Sequence, residues 1–151
     1  MKNYLSIKEQ LCKACAVFVN NNLETVTNVI DSNKKALHSE TKSSAGDKHE
    51  TGRAMLQLEM EKAGQQLVGI NLLAEILDKV SIEKSTETAC LGSLIITTKA
   101  TYFLAISVGK IAIENDDYFV ISVQSPIGKQ LLGKKVGDVI SFNQAEIIDI
   151  L

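Results

Sequence analysis

The sequence predicts an α+β protein: an N-terminal antiparallel two-helix coiled-coil hairpin, then a small antiparallel sheet domain with one short helix. Three observations carry this. Apolar residues recur at helical spacing through roughly the first half of the 151 residues. Beyond about residue 89 the period changes to two, the alternation of a strand. Aromatics make up only 5% of the chain and Trp is missing, which suits helices packed through aliphatic side chains better than one large sandwich core. The expected domains are residues 1–80 (hairpin, with an acidic tip near 46–50), 81–88 (linker) and 89–151 (sheet domain).

The first helix is expected from about Leu5 to Leu37. Leu5, Cys12, Val19 and Val26 recur every seven residues, and Ala16, Leu23, Ile30 and Leu37 form a second row of the same period. Together they make one apolar stripe, with Lys8, Glu9, Lys13, Asn20, Asn21 and Asp31 on other faces. The second helix has a stricter pattern. Leu56, Met60, Ala63, Leu67, Ile70, Ala74 and Leu77 are spaced 4-3-4-3-4-3, the seam of a coiled coil. Two such stripes cover each other most simply as a hairpin, whose arms reach roughly 35–50 Å at 1.5 Å per residue. The polar stretch 38–52 reads as the turn and the fraying helix ends, with Gly46 able to end an arm or turn at positive φ.

Residues 81–89 are short and polar and mark the boundary. Strands follow at 94–98, 102–108, 111–114, 118–123 and 139–142, each rich in β-branched or aromatic residues and bounded by Gly, Asn-Asp or Lys. One helix interrupts them: Ser125 is its N-cap, Pro126 its first residue and Gly133 its stop. Gly137-Asp138 turns the chain into the next strand.

Composition excludes several function classes. Residues 1–80 carry ten basic and ten acidic side chains and residues 81–151 carry six and eight, so neither half has the basic excess of a phosphate-backbone binder. No independent DNA binding is expected. The start lacks the apolar run of a signal peptide, and no stretch approaches the ~20 apolar residues of a membrane span. Three cysteines without a secretory signal point to a reducing cytoplasm. Cys12 and Cys15 have the spacing of half a zinc site, but no second pair follows, so both read as core residues.

The segment 125–138 reads Ser-Pro-Ile-Gly-Lys-Gln-Leu-Leu-Gly-Lys-Lys-Val-Gly-Asp. With Leu91-Gly92-Ser93 ahead of the first strand, it strongly resembles the C-terminal domain of the bacterial GreA/GreB transcript-cleavage factors. Gly46-Asp47-Lys48-His49-Glu50 falls where that family has its tip signature, Gly-Asp-x-x-Glu. The resemblance implies an FKBP-like sheet domain that docks on RNA polymerase, with Ser125 and Pro126 at the docking corner. It also implies a hairpin that enters the polymerase secondary channel. Asp47 and Glu50 would there help hold a catalytic Mg²⁺ shared with the polymerase, stimulating cleavage of backtracked RNA by the polymerase itself. The chain would thus be an accessory factor, not an enzyme, binding no cofactor alone and acting as a monomer.

The sequence departs from the family at Thr51 and Ala54, where Asn and Tyr are usual, and at Gln124, where an acid often precedes the Ser-Pro. An early Arg-Pro is missing, and Asn143-Gln144-Ala145 replaces a longer loop. These changes point to a divergent branch. A second reading is therefore a channel-binding regulator that does not activate cleavage. A prolyl isomerase or chaperone is a third; strand alternation splits Tyr102 from Phe103 and Tyr118 from Phe119, against the aromatic-lined pocket it needs. A plain coiled-coil adaptor is a fourth, and leaves the pairing of Asp47 with Glu50 unexplained.

Overall fold

The computed structural model describes residues 2–42, 46–83 and 86–151, with backbone alone for 40–42 and 46–49. Helix α1 spans Tyr4–Lys42 and α2 spans Gly46–Asp78. Asn3 caps α1, its side-chain oxygen accepting from the Ser6 N–H at 3.2 Å. The helices run further into the polar 38–52 stretch than the apolar stripes suggested, and Gly46 opens α2 rather than ending an arm. No proline interrupts them, and once a helix is nucleated each further residue adds a backbone hydrogen bond without needing an apolar face.

The chain divides into two compact units, residues 19–74 and the remainder. In the first, the expected α2 seam is the buried one: Ala63 and Ile70 are buried, and Leu56, Met60 and Leu67 are half-buried. Val26 of α1 shares a groove with Ile70 and Leu73 of α2, as a two-helix hairpin requires. Val19, Val26 and Asn33, seven residues apart, are buried along α1.

In the second unit the first turns of α1 depart from the expected stripe. Leu5 is 48% exposed, whereas Ile7, Leu11 and Cys15 are fully buried. Lys8, expected on a wet face, is buried too; its Nζ donates to Ile82 O at 3.3 Å. This segment has a sheet beside it, not only a helix. Cys15 hydrogen-bonds with the backbone of Ile106, so a wider arc of α1 is covered than a coiled-coil seam needs.

Six strands form one sheet in the order β3-β4-β2-β1-β6-β5: β1 Leu94–Thr97, β2 Thr101–Ala105, β3 Gly109–Ile113, β4 Asp116–Ser122, β5 Val139–Ile140 and β6 Ala145–Ile150. The sheet is mixed, not antiparallel throughout: β2 and β4 run parallel, Tyr102 opposite Phe119. The cause is topological. β3 passes to the outer side of β4 and returns as a hairpin, so two reversals bring β4 back to the direction of β2. The hairpin turns on Glu114 and Asn115, both at positive φ (52° and 70°), as a two-residue turn matched to strand twist demands.

Helix α3, Pro126–Leu131, packs Leu131 into a core with Ile95, Leu104, Ile140, Ile147 and Ile150. Phe103 and Ala105, alternating with these, are fully buried as well, so β2 is covered on both faces. Among the described residues no helix is long and apolar enough to cross a membrane.

Candidate functional site

Two groups of residues were singled out by the sequence. The first lies at the start of α2. Asp47 and Glu50 both fall within its opening turns. Three residues apart on a helix, they lie on one side of it. Glu50 is exposed; the side chain of Asp47 lies outside the described residues. Acids here also complement the positive end of the helix, which by itself is worth ~0.3–1 kcal/mol. The donors are carboxylate oxygens, the type hard Mg²⁺ prefers, and the exposure of Glu50 leaves it open to a partner. Two carboxylates fit a metal held mainly by other ligands, since Mg²⁺ commonly takes only one or two protein carboxylates.

The second group is the corner at the start of α3. Ser125 sits in extended geometry (φ −67°, ψ 157°), and its Oγ accepts from the Gly128 N–H at 3.1 Å. The same hydroxyl donates to Ser122 O at 2.6 Å. The Ser125 side chain is thereby fully engaged in closing the strand-to-helix turn. Pro126, at the first helical position, is exposed. The two predicted residues therefore divide the work: Ser125 builds the corner and Pro126 presents a surface.

That surface continues into a feature the sequence reading missed. Ile127 lines an open groove of about 400 Å³ together with Ala100, Tyr102, Phe119, Ile121 and Phe142. Among the described residues lining it Lys99 alone is charged, and its Nζ donates to Asn143 O. The Tyr102 and Phe119 rings lie 5.9 Å apart between centroids. Burial pushes the Tyr102 hydroxyl above the usual phenol range, while the Asn143 amide, 3.4 Å away, works in the opposite direction. Phe142 is 61% exposed. Alternation does separate Tyr102 from Phe103 and Tyr118 from Phe119, as expected. One member of each pair nevertheless reaches this face, and the parallel β2–β4 register sets them side by side. No local sequence signal announces a parallel pairing between strands with a third between them in the chain.

Gly128 was also overlooked. A Cβ at this position would fall deep inside contact distance of Ser122 O and 2.8 Å from Ser125 Oγ. Only glycine lets α3 start so close to the end of β4. The cysteines occupy core-like positions: Cys15 is buried, Cys12 and Cys90 half-buried, and all three are free thiols. Burial raises the Cys15 thiol to about 11.

Residues 98–150 match the family model described as transcription elongation factor, GreA/GreB, C-terminal. The match spans β2 to β6 and includes α3 with its Ser125-Pro126 corner and the whole groove lining. No curated protein matches the chain.

Proposed function

Because its residues 98–150 match the GreA/GreB C-terminal family model, we propose that this chain is a transcription elongation factor of that kind, which binds RNA polymerase, inserts its hairpin into the secondary channel and stimulates cleavage of backtracked RNA. The family match is the observation that carries the reading. Factors of this family are accessory proteins, so the scissile chemistry belongs to the polymerase and the factor contributes groups to it.

The division of labour follows from the two sites. The sheet domain docks through the exposed Pro126 and the neighbouring apolar groove, where Ile127 and Phe142 offer area that water gives up on contact. The hairpin carries Asp47 and Glu50 to the reacting phosphodiester. Mg²⁺, when bound there, would supply the positive charge that activates a water and stabilises the developing phosphoryl charge. Asp47 and Glu50 contribute oxygen ligands and orient them by their three-residue spacing on α2. Glu50, being exposed, needs no desolvation before it meets the polymerase.

The test is a backtracked elongation complex carrying end-labelled RNA, with Mg²⁺ and this protein added. We expect shortening of the transcript that Asp47→Ala or Glu50→Ala abolishes while polymerase binding persists. Binding without any shortening would move the protein to the channel-occupying regulators, the reading favoured by Thr51 and Ala54 at family tip positions. The aromatic lining of the groove supports a third outcome, turnover of a proline peptide, which an isomerase assay resolves.

A further inference from the structure

Helix α3 borders two concavities on the sheet domain, and only the aromatic groove enters the docking reading above. The second is a cavity of about 320 Å³ lined by Lys129, Gln130, Leu132, Lys134, Val139 and Ser141. Both belong to the same compact unit. They share walls: α3 gives Ile127 to the groove and Lys129 and Gln130 to the cavity, and the consecutive Ser141 and Phe142 are divided between them. Gln130 ties the shared wall together. Its Oε1 accepts from Ser141 Oγ at 3.3 Å and from the Phe142 N–H at 2.8 Å, which fixes the backbone under the exposed ring.

The cavity differs from the groove in charge. Residues 118–137 contain three lysines and no acid, in a chain whose net charge is −2. Lys129 and Lys134 line the cavity and Lys135 follows them. Among the described residues these lysines make no ion pair; the pairs Lys2–Asp116 and Lys110–Asp117 lie elsewhere. Asp138, the next acid along the chain, has a carboxylate oxygen accepting from the Lys135 backbone N–H at 2.8 Å. Glu146 stands opposite Val139 in the β5–β6 register and pairs with none of them. Beside the cations, Leu132 and Val139 are 47% and 52% exposed.

Unpaired cations next to exposed aliphatic side chains suit a carboxylate carried on a protein segment. A phosphate backbone would answer the lysines but would leave Leu132 and Val139 uncovered. Nor do the neighbouring rings stand free as a stacking platform for bases, since Tyr102 is buried and packed against Phe119. Resting on the docking reading above, we propose that the polymerase element met by the sheet domain is an apolar segment with an acidic flank. Its apolar side chain enters the aromatic groove, and its carboxylate meets Lys129 and Lys134 in the cavity across α3. The groove then supplies the buried area, while the lysines steer the encounter and fix which way round the segment lies.

Association and dissociation rates of the full chain with RNA polymerase, at low and at high salt, test it. We expect K129E/K134E to slow association at low salt by about tenfold, and to remove most of the salt dependence of the wild-type rate. Lys129→Gln with Lys134→Gln should act in the same direction by less, and thermal unfolding checks that each variant stays folded. Lys110→Glu makes the same charge change on β3, at the opposite edge of the sheet from β5, and should move the rate by less than about twofold. An equal loss from Lys110→Glu reports net charge alone and overturns the proposal. Polymerase binding that ignores both salt and the two lysines overturns it while leaving the docking reading in place. A wild-type chain that does not bind polymerase removes both. Lysine-dependent capture of single-stranded RNA or duplex DNA by the chain alone assigns the cavity to phosphate, and overturns it as well.

Discussion

Gly128 shows how much one missing methyl group can decide. The Ser125 cap, the Ser122 carbonyl and the first turn of α3 close on each other so tightly that a Cβ has no room against backbone. Overpacking of this kind typically costs ~1–3 kcal/mol and sometimes more. Gly128→Ala should therefore lower stability by about 3 kcal/mol in denaturant unfolding; a loss below ~1 kcal/mol would show that the corner yields. Cys15 makes a second prediction at this scale. Its thiol is raised from 9.0 to about 11 by burial, so the folded state holds the proton more tightly than the unfolded chain does. The resulting stability is fully present below pH 9 and is lost as pH rises through about 11. At roughly 1.4 kcal/mol per unit, this amounts to an order of 3 kcal/mol across that window. Cys15→Ala should flatten the alkaline limb of a stability–pH curve, whatever it does to stability at neutral pH.

At the scale of the element, Asn33 stands out along α1. It continues the buried row of Val19 and Val26, yet its Nδ2 has no hydrogen-bond partner among the described residues. A buried, unsatisfied amide costs ~1–3 kcal/mol, and a polar residue at such a seam position trades stability for register. Asn33→Val should raise the midpoint of thermal unfolding by several degrees, consistent with about 1 kcal/mol in a protein of this size. An unchanged or lower midpoint would mean that water or strain relief already satisfies the amide.

For the whole molecule, the net charge of −2 and the near balance of each half leave apolar contact, not bulk charge, as the basis of recognition. The groove lined by Ile127 and Phe142 is the surface that the proposed function assigns to that contact. Phe142→Ala removes an exposed ring from its rim and should leave the unfolding midpoint within about a degree, given that surface substitutions usually stay within ±0.5 kcal/mol. Polymerase affinity should fall about fivefold or more if the ring anchors docking, as aromatic interface residues commonly do. A titration against polymerase checks this, and unchanged affinity would exclude the groove as the docking surface.

Much of this architecture was legible in the chain. The two-helix hairpin, its α2 seam, the Ser125-Pro126 helix start and the Gly133 and Gly137 turns all rest on local rules of periodicity, capping and backbone freedom, which a sequence carries explicitly. Asp47 and Glu50 were singled out by their spacing and the tip motif, and the structure places both in the opening turns of α2 without testing the role proposed for them. Non-local pairing was not. The parallel β2–β4 register, the aromatic groove it assembles, the burial of Lys8 and the shift of the buried arc from Leu5 to Ile7, Leu11 and Cys15 each depend on what lies beside a segment in space. A residue's neighbours along the chain set the backbone it adopts. Its neighbours across the fold set which of its faces meets water, and only the tertiary structure brings those together.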